Sequence, residues 1–278
     1  MKYKGKFLKN KKGFKLYYET DFVDLKKPVL FFVHGLGGDT DAWRFIRDDI
    51  KKKGLNFVAM DVLGHGYSDH PRGFSSYNFD DLAQDVLSVM DKEKIKKVVL
   101  VGHCYGAVIA MNFAIKYPDR LKKLVLISGT YRPPYFIFCK AIRILMSGVS
   151  NLAALISPKP YKPCHSKYPV GKFHKDFEFI GLAKTLAHNS LRSYLLLFKE
   201  VVNLDLEHSL FKIKTPTLVM VGDKDSIFQP SISKKIHKSI SKSKFKIIKG
   251  GNHVVVLNNA NEVSKLICDF VYSSSSLH

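Results

Sequence analysis

Gly102-His103-Cys104-Tyr105-Gly106 places a cysteine between two glycines, after the apolar run Lys97–Val101 and before the helical pattern Ala107–Tyr117. A nucleophile on so sharp a strand-to-helix turn is pushed out of the backbone, and the glycines relieve the crowding around it. The turn also sets the sulfur at a helix N-terminus, where backbone N–H groups and the dipole favour negative charge. A thiolate is the reactive form of cysteine. His34-Gly35-Leu36-Gly37-Gly38 follows a second apolar run, Val29–Val33. Its glycines let the backbone aim an N–H at a reaction centre. The N–H groups of Leu36 and Tyr105 would together make a two-donor oxyanion hole, with His34, Gly35 and His103 on the substrate side.

Two further strand ends carry polar chemistry. Val219-Met220-Val221-Gly222 runs into Asp223-Lys224-Asp225, and the last strand pattern runs into Gly251-Asn252-His253. A strand-end Asp and a strand-end His can orient and deprotonate a nucleophile. The order Cys104, Asp225, His253 is nucleophile, acid, base. A third polar loop, Asp61-Val62-Leu63-Gly64-His65-Gly66-Tyr67-Ser68, follows Asn56–Met60 and reads as a structural loop folding beside the site.

Parallel strands must carry these loops. Lys6–Leu8 and Phe14–Glu19 flank Lys12-Gly13 and predict a β-hairpin. Val29–Val33 is a continuous apolar run, as in a strand buried on both faces. Helix patterns at Asp41–Lys53, with Gly54 at the C-cap, and Phe79–Asp91 alternate with strand patterns Asn56–Met60, Lys97–Val101 and Leu121–Ile127. Pro118 stops the helix between the last two. Such alternation predicts an α/β fold with a mostly parallel central sheet flanked by helices. The rhythm stops between Thr130 and Phe211, where two apolar helical stretches, Tyr135–Ile156 and Phe177–Val202, enclose a loop with Pro158, Pro160, Pro163 and Pro169. It resumes with Pro216–Val221, Ile232–Ile240, Lys244–Ile248 and Ala260–Val271, and ends in the polar tail Ser273–Ser276. The expected organisation is a core of residues 1–129 and 212–278 with a mostly helical cap at 130–211.

Together these motifs resemble the α/β-hydrolase superfamily, in its cap-bearing esterase, lipase and thioesterase branch. The resemblance covers roughly residues 25–130 and 212–272, with the motifs in the family's order. It implies an acyl ester or thioester substrate, a Cys104–His253–Asp225 triad, a covalent acyl-enzyme and no cofactor. Asp225 rather than Asp223 is implied as the acid, because it falls three residues after Gly222. Cys104 departs from the family, which usually has Ser there. Three readings follow: a native cysteine nucleophile, a Ser-to-Cys replacement in a serine esterase, or a non-catalytic hydrolase-fold binding protein. The retained Asp225 and His253 argue against the last. An acyl thioester exchanges readily with alcohols, amines or thiols, which brings acyl transfer and thioesterase chemistry forward.

Composition bounds the rest. The 278 residues are 46% hydrophobic and 25% charged, an ordinary globular balance. The four cysteines, Cys104, Cys139, Cys164 and Cys268, form no CxxC, which speaks against a zinc site or a disulfide scaffold. No metal, nicotinamide or flavin motif is present. Met1–Lys12 lacks a signal-peptide apolar core, so a cytoplasmic protein, with peripheral membrane contact, is the expectation. Val98–Ile115 carries no Asp, Glu, Lys or Arg and is long enough to invite a membrane-spanning reading; the strand–turn–helix reading accounts for it better. Lys and Arg number 45 against 24 Asp and Glu, a formal charge of +21, which attracts anionic partners. From Arg120 to Lys175 there is no Asp or Glu, and Tyr131, Phe136, Tyr161 and Phe173 lie among the bases. Basic and apolar residues so mixed suit an anionic membrane surface or a phosphate-bearing acyl carrier such as coenzyme A. No nucleic-acid recognition module is visible.

Overall fold

The computed structural model describes residues 3–24, 26–133, 140–156, 163–165 and 190–273. Eight strands form one sheet: β1 (Gly5–Lys9), β2 (Lys15–Asp21), β3 (Val29–Val33), β4 (Asn56–Met60), β5 (Val98–His103), β6 (Leu121–Ile127), β7 (Thr217–Gly222) and β8 (Ser243–Ile248). Their order across the sheet is β1-β2-β4-β3-β5-β6-β7-β8. The hairpin β1–β2 lies antiparallel on one edge, and every pairing from β4 to β8 is parallel. Buried side chains fill β4, β5 and β7 on both faces, the reason their sequences run apolar without alternation.

Two helical layers cover the sheet. One face packs on α1 (Arg44–Lys52) and, near the C-terminus, α7 (Val255–Asn258) and α8 (Ala260–Tyr272), around Trp43, Ile46, Val256 and Ile267. The other packs on α2 (Phe79–Lys92), α3 (Tyr105–Lys116) and α6 (Pro230–Ser239), around Val86, Val108, Phe113 and Ile236. Between β6 and β7 stand α4 (Lys140–Ile156) and α5 (Leu191–Val202), packed on each other, and no strand among the described residues. No helix of the described residues is long and apolar enough to cross a membrane.

Several boundaries differ from the sequence-based ones for local reasons. The helix expected over 41–53 begins as a 3₁₀ turn, Thr40–Trp43, because the Asp39 carboxylate accepts from the Asp41 N–H and tightens the start. The helix expected from Ala107 already begins at Tyr105, and β5 extends to His103, so Val98–Ile115 is strand, turn and helix. Pro230 opens α6 two residues early, where its missing N–H costs nothing. The short α7 was not anticipated. Residues 134–139, 157–162, 166–189 and 274–278 lie outside the described residues, and with them part of each expected helical stretch, the loop prolines other than Pro163, and most of the tail.

The chain goes from β3 outward to β4, then crosses back to β5 on the other side of β3. The loops leaving β3 and β5 therefore diverge and leave a crevice at the carboxyl ends of the strands, where open α/β sheets bind ligands.

Candidate active site

Cys104 stands in that crevice with φ +53° and ψ −115°. A non-glycine residue at positive φ is uncommon and strained. The surroundings hold it there. Its N–H donates to the Ile127 carbonyl at 2.9 Å. A Cβ on Gly106 would lie 2.1 Å from the Val33 carbonyl oxygen, and one on Gly102 would lie 2.3 Å from that of Gly106. Only glycine permits this approach of helix to strand, so the two flanking glycines have steric causes. As first residue of α3, Tyr105 has an N–H with no intrahelical acceptor. A Cβ on Gly35 would be 3.0 Å from the Cβ of Cys104, which places the His34–Gly38 loop, with Leu36, against the turn.

Asp225 and His253 come from the two strands beyond β6. The carboxylate of Asp225 accepts from the N–H groups of Ile227 at 3.0 Å and Phe228 at 2.8 Å. His253 Nδ1 donates to its two oxygens at 3.1 and 3.0 Å. Burial pushes the Asp225 carboxyl up, but the hydrogen bond and charge of His253 and the Phe228 N–H outweigh it and hold the group below its ordinary range. Burial likewise disfavours the imidazolium of His253. Its electrostatic interaction with the Cys104 sulfur, with hydrogen bonds to Asp225 and Cys104, reverses this and raises the imidazole to about 10. Cys104, His253 and Asp225 thus form one continuous polar chain. Asp223 is exposed, and the carboxylate on His253 is that of Asp225.

The other expected residues are mostly turned to support. His34 is fully buried: its Nε2 accepts from the Val62 N–H at 3.0 Å and its Nδ1 donates to the Gly35 carbonyl at 2.8 Å. Both ring nitrogens are committed to backbone, and burial keeps the ring neutral. His103 donates from Nε2 to the carbonyl of His253 at 2.9 Å, with the two rings 5.2 Å apart. Burial, then the charge of His253, lowers it to about 3, so it stays neutral and tethers the loop that carries His253.

The loop after β4 scaffolds the crevice, as its polar residues suggested. Asp61, fully buried, accepts from the N–H of Thr40 at 2.9 Å and of Tyr67 at 2.9 Å. His65 Nε2 accepts from the Gly37 N–H at 2.9 Å. Sequence reasoning missed His165, whose Nε2 meets Asp61 Oδ2 at 2.7 Å while its ring lies 4.3 Å from that of Tyr67. Burial lowers His165, but the Asp61 hydrogen bond and charge prevail and raise it. Helix α5, within the expected cap, also reaches this end of the sheet. Ser193 pairs with Tyr77 at 2.9 Å, and burial with the nearby charge of Cys104 pushes the Tyr194 hydroxyl up to about 12. Among the described residues no cluster of three His, Cys, Asp or Glu could hold a metal ion.

A strained turn with Cys104 at its apex, beside an Asp–His pair from the ends of β7 and β8, sits on a sheet of α/β-hydrolase topology. The chain has the α/β-hydrolase fold, and residues 28–148 match the family model described as alpha/beta hydrolase fold. Along nearly its whole length it is similar to a proline iminopeptidase of Saccharolobus solfataricus, 25% identical over 96% of this chain and 92% of that protein. Among solved structures it is similar to an esterase from Exiguobacterium antarcticum (TM-score 0.78, 18% identity, 97% of this chain and 100% of that one). It is also similar to an enol-lactonase from Burkholderia xenovorans LB400 (TM-score 0.77, 19% identity, 96% and 100%).

Proposed function

We propose that the protein hydrolyses a carboxylic ester or thioester of a lipophilic acyl group through Cys104, His253 and Asp225, with residues 130–211 as the cap over the site. The observation that carries this reading is the alignment of the Cys104 sulfur with His253 and of His253 with a hydrogen-bonded, buried Asp225. The sulfur attacks the acyl carbonyl, with its proton held by His253. The N–H groups of Leu36 and Tyr105 receive the oxyanion. As the tetrahedral intermediate collapses, His253 gives its proton to the leaving alcohol or thiol, and an acyl thioester remains on Cys104. His253 then takes a proton from water, the hydroxide attacks the thioester, and the carboxylic acid leaves as Cys104 regains its starting state. Asp225 keeps the imidazole oriented and stabilises its charge throughout. An acceptor alcohol, amine or thiol in place of water would make the same intermediate an acyl donor.

A binding-only role does not explain why a strained, positive-φ residue and a buried ion pair are both maintained, since each costs stability without improving a pocket. The test is a panel of p-nitrophenyl esters and acyl thioesters of graded chain length with parent, Cys104→Ala and Cys104→Ser proteins. Cys104→Ala is expected to lower kcat by about 10⁴-fold or more and to abolish an acyl adduct seen by intact-mass spectrometry in the parent. Cys104→Ser is expected to retain measurable hydrolysis. Turnover surviving in Cys104→Ala, or an adduct on Cys139, Cys164 or Cys268 with Cys104 free, would overturn the assignment.

A further inference from the structure

Helix α4 departs from the pattern of a surface helix. Such helices turn their apolar stripe to the core and their charges to water. In α4, Ser150 is the buried side (3% exposed), and the amide of Asn203, just past α5, reaches Ser147 Oγ at 3.3 Å. The outward side carries Ile144, Leu145, Val149, Leu152 and Leu155, all more than half exposed. At about 100° per residue these five and Gly148 share one arc of roughly 140°. No polar side chain interrupts that set. Five exposed aliphatic residues in one contiguous stripe are not the scattered surface leucines of an ordinary protein; they mark an interaction surface.

Charge identifies what fits it. Helix α4 contains Lys140 and Arg143 and no acid, and it lies within a stretch, Arg120–Lys175, that has no Asp or Glu at all. The whole chain carries +21. Covering this face with a second copy would bring together two chains of that same charge. An apolar stripe on an acid-free helix, with the Arg192 guanidinium at its C-terminal end on the Leu155 carbonyl at 3.5 Å, matches instead an anionic phospholipid surface, whose acyl chains take the leucines and whose headgroups take the cation. We propose that α4 docks the protein on anionic bilayers by inserting Ile144, Leu145, Val149, Leu152 and Leu155 below the headgroups. Because α4 packs on α5, and Tyr194 of α5 feels the charge of the Cys104 side chain, docking would hold the site within two helix layers of the membrane. This deepens the proposed function by naming a membrane-held acyl lipid as its substrate class. The docking itself stands independently of catalysis.

The experiment is cosedimentation with vesicles of phosphatidylcholine alone and of phosphatidylcholine with phosphatidylglycerol in equal parts, at low and high salt. The proteins are the full chain and its Leu145→Ser/Leu152→Ser double variant. Both substituted positions are exposed, so the fold is retained, and unchanged turnover of a short soluble ester serves as the control. The parent is expected to partition at least tenfold more strongly onto the anionic vesicles than onto the neutral ones, and several-fold less at high salt. The double variant is expected to lose about tenfold on the anionic vesicles at low salt. No binding of the parent to anionic vesicles would overturn the proposal. Equal binding by parent and variant would also overturn it, since attraction would then be purely electrostatic. So would a self-association abolished in the variant without vesicle binding, which would make the face a dimer contact. A Cys104→Ala protein that binds vesicles like the parent would separate this result from any failure of the catalytic reading.

Discussion

Helices α3 and α4 are both apolar and nearly free of acids, yet they end in opposite surroundings. Ten of the twelve residues of α3 are buried, whereas α4 shows five large aliphatic side chains to solvent. Side-chain size separates them. Gly106, Ala107, Ala110 and Ala114 let α3 press against the sheet, close enough for Gly106 to sit on the Val33 carbonyl. α4 carries branched aliphatics, and a Cβ on its Gly148 would meet nothing within 4 Å. An apolar helix of small residues serves geometry, here the position of Cys104. One of large residues on the outside serves contact. Composition alone does not distinguish these uses; spacing and residue volume do.

The contrast predicts that the core side tolerates almost no change near the crevice. The largest effect is expected for Asp225→Asn, which removes the charge orienting His253 and should lower kcat by roughly 10³–10⁴-fold, while Asp223→Asn stays within about twofold. Steady-state kinetics of the two variants reads this directly, and a severe Asp223 variant beside a mild Asp225 one would refute the geometry. Next come the glycines. Gly106→Ala is expected to cost about 3 kcal/mol or more, because the methyl group meets backbone that cannot retreat. Gly148→Ala, at an open helical position, is expected to stabilise by about 0.5–1 kcal/mol. Urea melts of both settle whether the two helices differ as described.

The last effect is one of pH, and its sign differs between the regions. Burial lowers His34 and His65 as well as His70, to about 4, and His103, to about 3. The unfolded chain binds protons near pH 6.5 that these folded sites refuse, so core stability falls as pH drops below 6.5, by at most about 1.4 kcal/mol per unit per histidine. His165 is raised by Asp61 despite its burial. Its stabilisation is complete below pH 6.5 and is lost as pH rises through its folded value. Emission of Trp43, the sole tryptophan and fully buried, follows the core. Amide protection at Cys164 and His165 follows the contact of His165 with Asp61. Thermal midpoints by Trp43 are expected to fall on acidification, and the protection factors of the Cys164 and His165 amides, corrected for base-catalysed intrinsic exchange, to fall on alkalinisation in the parent but not in His165→Gln.

Much of the crevice was legible because its signals are local. A strand, a small-residue turn and a helix follow one another within Lys97–Tyr117, and steric need fixes Gly102 and Gly106. Asp225 and His253 were visible as polar residues at the ends of apolar runs. The roles of His34 and His103 were not, since the His34 ring is spent on its neighbour Gly35 and on the distant Val62 N–H, and His103 on the carbonyl of His253. The pairing of Asp61 with His165 spans 104 positions, and no spacing pattern foretells it. The apolar run of α4 was legible as suited to an anionic membrane surface, but its orientation was not: an apolar stripe in a sequence states that one side is apolar, not which side water meets.

The turn that holds Cys104 has a consequence for descent. Its +53° φ is imposed by the Ile127 carbonyl and by the close approach of Gly102 and Gly106, so the strain belongs to the backbone and not to the side chain at its apex. Serine and cysteine differ by one atom there and, through several codons, by one base. Either fits the same socket, whereas threonine and valine, branched at Cβ, do not suit positive φ. A lineage built on this turn can therefore exchange oxygen for sulfur in a single step without rebuilding the fold, and reverse it as readily. His253 and Asp225, each bound into several partners, have no such freedom. In this architecture the identity of the attacking atom is the most easily inherited novelty, and the pair behind it the most conservative inheritance.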